Sequence, residues 1–203
     1  MKTRTIRDLT ILLPGEDPAD LEPLDAPPRD DEAIARRLIT GQAWTRAHIT
    51  SATLSGCWLI NADLSAMVFE SVTLDRCVLR GATLIGARLA DVTLKNVIFE
   101  NCRLDYATFH NTRTTGPTAF LGCSLTETTL EHCKLTQAAF DGCKLAGTTL
   151  DATDLRSADL RGNDLSTIAG ITCLRGATVS EDQLPSITDA LARDLELRIK
   201  AQV

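Results

Sequence analysis

Seven cysteines and three histidines are the residues of this 203-residue chain that could carry nucleophilic, redox or metal chemistry. Cys57, Cys77, Cys102, Cys123, Cys133 and Cys143 share one context: each stands two places before a large apolar residue. No two cysteines form a CxxC pair, the spacing used by structural zinc sites and redox motifs. Thiols that keep one place in an apolar pattern behave as small hydrophobes in a packing role. His48, His110 and His132 are far apart in the sequence, with no second histidine at ligand spacing and no serine or cysteine positioned for activation. They read as three outward, separate surface residues. No glycine-rich phosphate loop is present, because Gly56, Gly81, Gly86, Gly122, Gly142, Gly147 and Gly162 recur singly. The reading is therefore of no catalytic residue, no metal site, no cofactor and no small-molecule ligand.

What positions these residues is a period of five. Ile49, Leu54, Leu59, Leu64, Phe69, Leu74, Leu79, Leu84, Leu89, Leu94, Phe99, Leu104 and Phe109 form one series. After Thr114 the register slips by one across Thr115-Gly116-Pro117 and resumes at Phe120, Leu125, Leu130, Leu135, Phe140, Leu145, Leu150, Leu155, Leu160 and Leu165. A step of five matches neither the 3.6 of a helix nor the 2 of a strand. It suits a backbone that turns a corner after every pentapeptide, so that four pentapeptides close a square coil and successive coils stack at about 4.8 Å. About six coils fit, a rod of roughly 29 Å. The single glycines then occupy corners, and Cys102, Cys123 and Cys143 line up near enough to bridge. A reducing cytosol would keep them thiols.

Ala62-Asp63-Leu64-Ser65-Ala66, Ala82-Thr83-Leu84-Ile85-Gly86 and Ala158-Asp159-Leu160-Arg161-Gly162 resemble the motif of the pentapeptide repeat family. The resemblance implies an all-β fold, a right-handed quadrilateral β-helix. Residues 1–46 read as an N-terminal capping segment, 47–179 as the β-helix, and 180–203 as a C-terminal helix and short strand that carry dimerisation.

Within the square coil the register predicts columns. Leu59, Leu79, Phe99, Phe120, Phe140 and Leu160 stack only if the slip is a one-residue bulge, for which Gly116 and Pro117 suit a tight turn. On the face built on Ile49, Phe69, Leu89 and Phe109, the outward charges are Glu70, Asp91, Glu131 and Asp151 against Arg88. The next most acidic face carries Asp63, Asp105, Glu127 and Asp164 against Arg103 and Lys144. The Leu54 face is the reverse, with Arg76, Lys95, Arg113, Lys134 and Arg156 against Asp75 and Asp154. Trp58, Ile60, Val78, Ile98 and Leu121 project from the Phe99 face as an apolar stripe that needs a cover or a protein partner. Ile6, Leu9, Ile11, Leu12 and Leu13 offer that cover.

Both ends call for caps. Residues 30–41 allow either a short helix begun at Asp30 and Asp31 or a further coil through Ile34, Ile39 and Trp44. Glu32, Arg37 and Gln42 stand where small residues belong, so the segment reads as a leading cap. At the other end Ser180 and Gln183 resemble a capping box. Leu184, Ile187 and Leu191 share a helical face, and Leu195, Leu197 and Ile199 alternate as a strand. An open coil end exposes unpaired backbone and core. This ending resembles that of the MfpA and Qnr-type pentapeptide proteins, which implies a twofold homodimer through the C-terminus.

The same resemblance implies a function. Proteins of that type act on bacterial DNA gyrase or topoisomerase IV, their acidic rods imitating duplex DNA, and some confer resistance to gyrase poisons. The long projecting loops of the Qnr type are missing, so the nearer likeness is to the loopless MfpA kind, for which inhibition must be told from drug protection by assay. The alternative is a structural scaffold that presents a charged or apolar face to another protein. A net charge of −6 disfavours direct nucleic-acid binding. With no membrane-length apolar run and no signal pattern, the expectation is a cytoplasmic protein.

Overall fold

The computed structural model describes residues 2–198 and residue 200. Its core is a right-handed quadrilateral β-helix of about six coils. Thr73-Leu74-Asp75 illustrates the unit: Leu74 points inward and is buried, its neighbours point outward, and Arg76 turns the corner at φ 51°. Successive coils lie in parallel register, Leu54 beside Leu74 and Leu74 beside Leu94. Three faces are parallel sheets of five, seven and six strands. The fourth, centred on Leu64, Leu84 and Leu104, is joined by single bridges such as Asp63 to Thr83 and Thr83 to Arg103.

The small position two places before each core residue has a second task. Cys77 Sγ donates to the Leu54 carbonyl at 3.3 Å, Cys102 to Leu79 at 3.4 Å and Cys123 to Phe99 at 3.3 Å. Where threonine takes the position the bond is kept, Thr128 to Leu104 at 2.7 Å and Thr148 to Leu125 at 2.9 Å. Each side chain thus satisfies a carbonyl one coil below, so cysteine and threonine are interchangeable there. Burial pushes the Cys133 thiol up to about 11, past the hydrogen bonds that pull the other way. These cysteines are structural.

The slip is a one-residue bulge. Leu94 pairs with Thr114, but Val97 pairs with Thr118. Phe99, Phe120 and Phe140 consequently stack in parallel, their ring centroids 4.7 and 4.8 Å apart. Thr114 lies half-buried, and its hydroxyl donates to the Lys134 carbonyl at 3.3 Å.

The solenoid begins upstream of residue 47. Strands Ala33–Ala35 and Arg37–Thr40 join the Leu54 and Phe99 faces, and Ile34, Ile39 and Trp44 are buried. No helix forms over 30–41. Glu32, Arg37 and Gln42 are tolerated because they bond to the incoming chain: Glu32 to the Arg29 N–H at 2.8 Å, Arg37 to Glu22 at 2.6 Å and Gln42 to Asp25 at 3.2 Å.

At the other end, Gln183 donates to the Leu160 and Asn163 carbonyls at 2.9 and 2.6 Å. Asn163 in turn donates to the Phe140 carbonyl at 2.9 Å, extending the Cys102–Cys123–Cys143 column. The Ser180 N–H and hydroxyl both reach Gln183 Oε1. Helix α1, Leu184–Asp194, then lies over the last coil, with Arg193 donating to the Ser166 and Ile168 carbonyls and Asp194 accepting from the Ile171 N–H. The strand expected after it is corrected for residues 195–198. Glu196 adopts φ 50°, its N–H meets the Arg193 carbonyl and the Leu197 N–H meets the Ala192 carbonyl. That pairing is a Schellman stop, which spends on the helix end the donors a strand would use. Ile199 lies outside the described residues.

Candidate functional site

The column Thr50, Glu70, Ala90, His110, Glu131, Asp151 runs in register up the Phe109 face. Glu70, Asp91 and Asp151 are exposed and Glu131 is half-buried. Glu131 and Asp151 pair directly, one strand spacing of about 4.8 Å apart. Like charges opposed across a sheet destabilise it, so this face carries more negative charge than folding favours.

The neighbouring Leu64 face is less available. Asp63 is half-buried and accepts from the Ser65 N–H and hydroxyl at 3.0 and 2.6 Å. Asp105 accepts from the Ser124 hydroxyl and the Thr126 N–H, and its side chain is only 14% exposed. Asp164 takes the Ser166 N–H at 2.9 Å, and those Ser166 hydrogen bonds hold its carboxyl below the usual range. Asp63 thus braces its own corner, and Asp105 ties its coil to the next. Glu127 is exposed on the edge shared with the Phe109 face. Beside it on that edge, one coil earlier, Tyr106 is 63% exposed at φ 60°. Sequence reading passed over this residue. Its signal was a lone tyrosine in a corner position that small residues such as Ala66, Gly86 and Gly147 take in other coils.

Two of the histidines, His110 and His132, are not separate residues, whereas His48 stands apart from them. His48 Nε2 lies 3.0 Å from Glu70, and His110 Nδ1 lies 3.1 Å from Glu131. His132 Nε2 lies 3.9 Å from the other oxygen of Glu131, and its ring meets that of His110 edge-on at 5.9 Å. The cause is the coil: residues about one turn apart in sequence become neighbours on the surface. Among the described residues no group of three or more potential ligands is placed to hold a metal ion.

The apolar stripe is covered. Strands β1, Thr3–Ile6, and β2, Leu9–Leu12, form an antiparallel hairpin across the Phe99 face. Ile6, Ile11 and Leu21 pack with Trp58, Val78, Ile98 and Ala119, and Ile60 and Leu121 border the cluster. Salt bridges secure the rim: Arg4 to Glu100 at 2.8 Å, Arg7 to Asp141 at 2.6 Å, and Asp8 to Arg161 at 3.2 Å. Of the residues expected to pair two chains, Ile187 turns inward onto the core, whereas Leu184, Leu191, Leu195 and Leu197 are 53, 38, 55 and 57% exposed. A surface hollow of about 660 Å³ lies at the far end of the basic face, lined by Ala152, Asp154, Arg156 and Arg175 among others. No helix among the described residues is long and apolar enough to cross a membrane.

Comparison with solved structures finds the same architecture in QnrB1, a plasmid-mediated fluoroquinolone resistance protein. One trypsin-treated variant of it aligns with a TM-score of 0.64 at 14% identity, over 89% of this chain and 97% of that one. A second trypsin-treated variant gives 0.48 at 14% identity, over 82% and 92%. No curated protein sequence matches the chain. The profile described as pentapeptide repeats matches in eight copies, over residues 47–84, 68–101, 84–113 and 123–162. These segments take in more than half of the chain and coincide with the stacked coils, and on that ground the protein belongs to the pentapeptide repeat family.

Proposed function

We propose that the protein binds a bacterial type II topoisomerase, DNA gyrase or topoisomerase IV, by presenting its Phe109 face to the enzyme's DNA-binding surface as a mimic of duplex DNA. The observation that carries this reading is the column of Glu70, Glu131 and Asp151 with Asp91 beside it, opposed by Arg88 alone among arginines and lysines of that face. The fold shared with a fluoroquinolone resistance protein supports it. Net charge does not: −6 per chain is sparse beside one charge per about 1.7 Å of DNA. Mimicry must come from one face. Tyr106 on its edge supplies an aromatic anchor of the kind that dominates interface energetics. In this reading the protein is a homodimer through the exposed leucines of its C-terminal end, and it is not an enzyme.

The test is a gyrase supercoiling assay with the purified protein titrated in, with and without a gyrase poison. Inhibition, or rescue from poison-induced cleavage, is expected, and a Glu70→Lys/Asp91→Lys/Glu131→Lys variant is expected to lose it. Activity retained by the variant would remove the acidic face from the mechanism. No effect at large molar excess would leave a scaffold for some other protein.

A further inference from the structure

All three histidines of the chain stand on the Phe109 face, and each one approaches a carboxylate of the acidic column. Nothing in coil packing demands this. The histidines occupy three different kinds of outward position: His48 before the core residue Ile49, His110 after Phe109, and His132 at the corner. A histidine whose only role is to fill an outward site has no reason to avoid the other three faces.

While an imidazole is neutral, its N–H donates to the carboxylate and leaves the negative charge in place. Once protonated it becomes a cation in contact with that carboxylate and cancels it locally. The charged groups around each site are few. His48 faces Glu70 and Arg88, with Asp30 bound to the Thr50 N–H nearby. His110 and His132 share Glu131, with Asp151 next in register and Asp91 held by the Asn111 amide. With neutral imidazoles the carboxylates Glu70, Asp91, Glu131 and Asp151 stand against Arg88, with Asp30, Glu127 and Arg46 on the rim of the face. Three imidazolium ions would bring the formal charge of those five central groups from −3 to zero, without moving the backbone and without protonating a carboxylate.

We propose that these histidines make the face pH-sensitive: its attraction for a basic protein surface is strong where they are neutral and falls where they are protonated and cancel the carboxylates they touch. This rests on the acidic face being the binding surface, as argued above, but it concerns the charge of that face toward any polycation.

The test compares the wild-type protein with a His48→Gln/His110→Gln/His132→Gln variant, at constant ionic strength, at about pH 8 and about pH 5.5. Binding is measured to two probes, poly-L-lysine and DNA gyrase. Poly-L-lysine keeps its charge across this interval, so changes in its binding report on the protein. The wild type is expected to lose about tenfold or more in affinity for poly-L-lysine between the two conditions, and the variant several-fold less. An equal loss in both proteins, or no loss in the wild type, overturns the proposal. Gyrase that binds at neither pH would overturn the topoisomerase reading and leave the poly-L-lysine result to decide this one.

Discussion

At the scale of single residues, stability resides in columns that the coil brings into register. Phe120 lies between Phe99 and Phe140 with interplanar angles of 4° and 3°, and Phe109 meets it edge-on at 6.5 Å. Truncation to alanine leaves a cavity where no neighbour can relax without breaking two coils. Phe120→Ala is therefore expected to cost about 3–5 kcal/mol, read as a lowered midpoint in guanidinium unfolding. A loss under about 1 kcal/mol, less than the burial of the ring alone supplies, would mean that neighbouring coils close into the space it leaves. The column itself was legible in the sequence, because three phenylalanines align only if Gly116 and Pro117 absorb one residue. The carbonyl-directed thiols and hydroxyls of Cys102, Cys123 and Thr128 were legible only as small residues, since a five-residue period reports size and not hydrogen bonds. The histidine contacts were not legible, because separation along the chain does not show which outward positions meet across a coil.

At the scale of elements, the N-terminal hairpin, like helix α1, is not built from repeats. Its covering role could be read from the apolar run at Ile6–Leu13, because Trp58, Val78 and Ile98 could not be left bare. Its ionic rim could not, since Arg4 meets Glu100 across 96 residues and Arg161 meets Asp8 across 153. Deleting residues 2–13 is expected to raise the binding of an exposed-hydrophobe dye and to leave the coils folded. Unchanged dye binding would show that another segment seals the stripe. Acid should loosen the same element. Burial raises the Glu100 carboxyl, but the Arg4 and Arg80 guanidinium groups outweigh it and hold Glu100 below its ordinary 4.5. A depressed carboxyl stabilises above its ordinary value and loses that contribution as pH falls through the lower folded value. Asp159, where Arg161 outweighs burial, behaves alike below its ordinary 3.8. Acrylamide quenching of Trp58 is therefore expected to increase between about pH 6 and about pH 3, with Trp44 shielded inside the coils. The C-terminal element was legible as far as its capping box and helix. It departed at Glu196, where the backbone turned left-handed to close the helix; alternating leucines alone do not distinguish that stop from a strand.

At the scale of the whole molecule, the two ends of the rod differ. The first is closed by Trp44 and by the chain arriving through Glu22 and Asp25. The last is closed by Gln183 and α1, whose inner side is spent on Ile187 and Ala190. What remains there is Leu184, Leu191, Leu195 and Leu197, four exposed leucines within a span of 14 residues. Exposed apolar patches of this kind mark association, and a patch at the tip of a rod favours end-to-end pairing about a twofold axis, since the same surface then serves both partners. Such a dimer would double the length over which Glu70, Asp91, Glu131 and Asp151 are displayed, which is what a mimic of a long duplex requires. Light scattering of the wild type is expected to give twice 22.0 kDa. Leu191→Glu/Leu195→Glu, which touches neither the core nor the acidic column, is expected to give the single mass with an unchanged β-sheet circular dichroism spectrum and an unfolding midpoint that no longer depends on protein concentration. If that variant also loses its effect on gyrase, the length of the acidic surface matters as well as its charge; a monomeric variant that inhibits as well as the wild type would confine recognition to one rod. A wild type that is already monomeric would leave the leucines to a different partner.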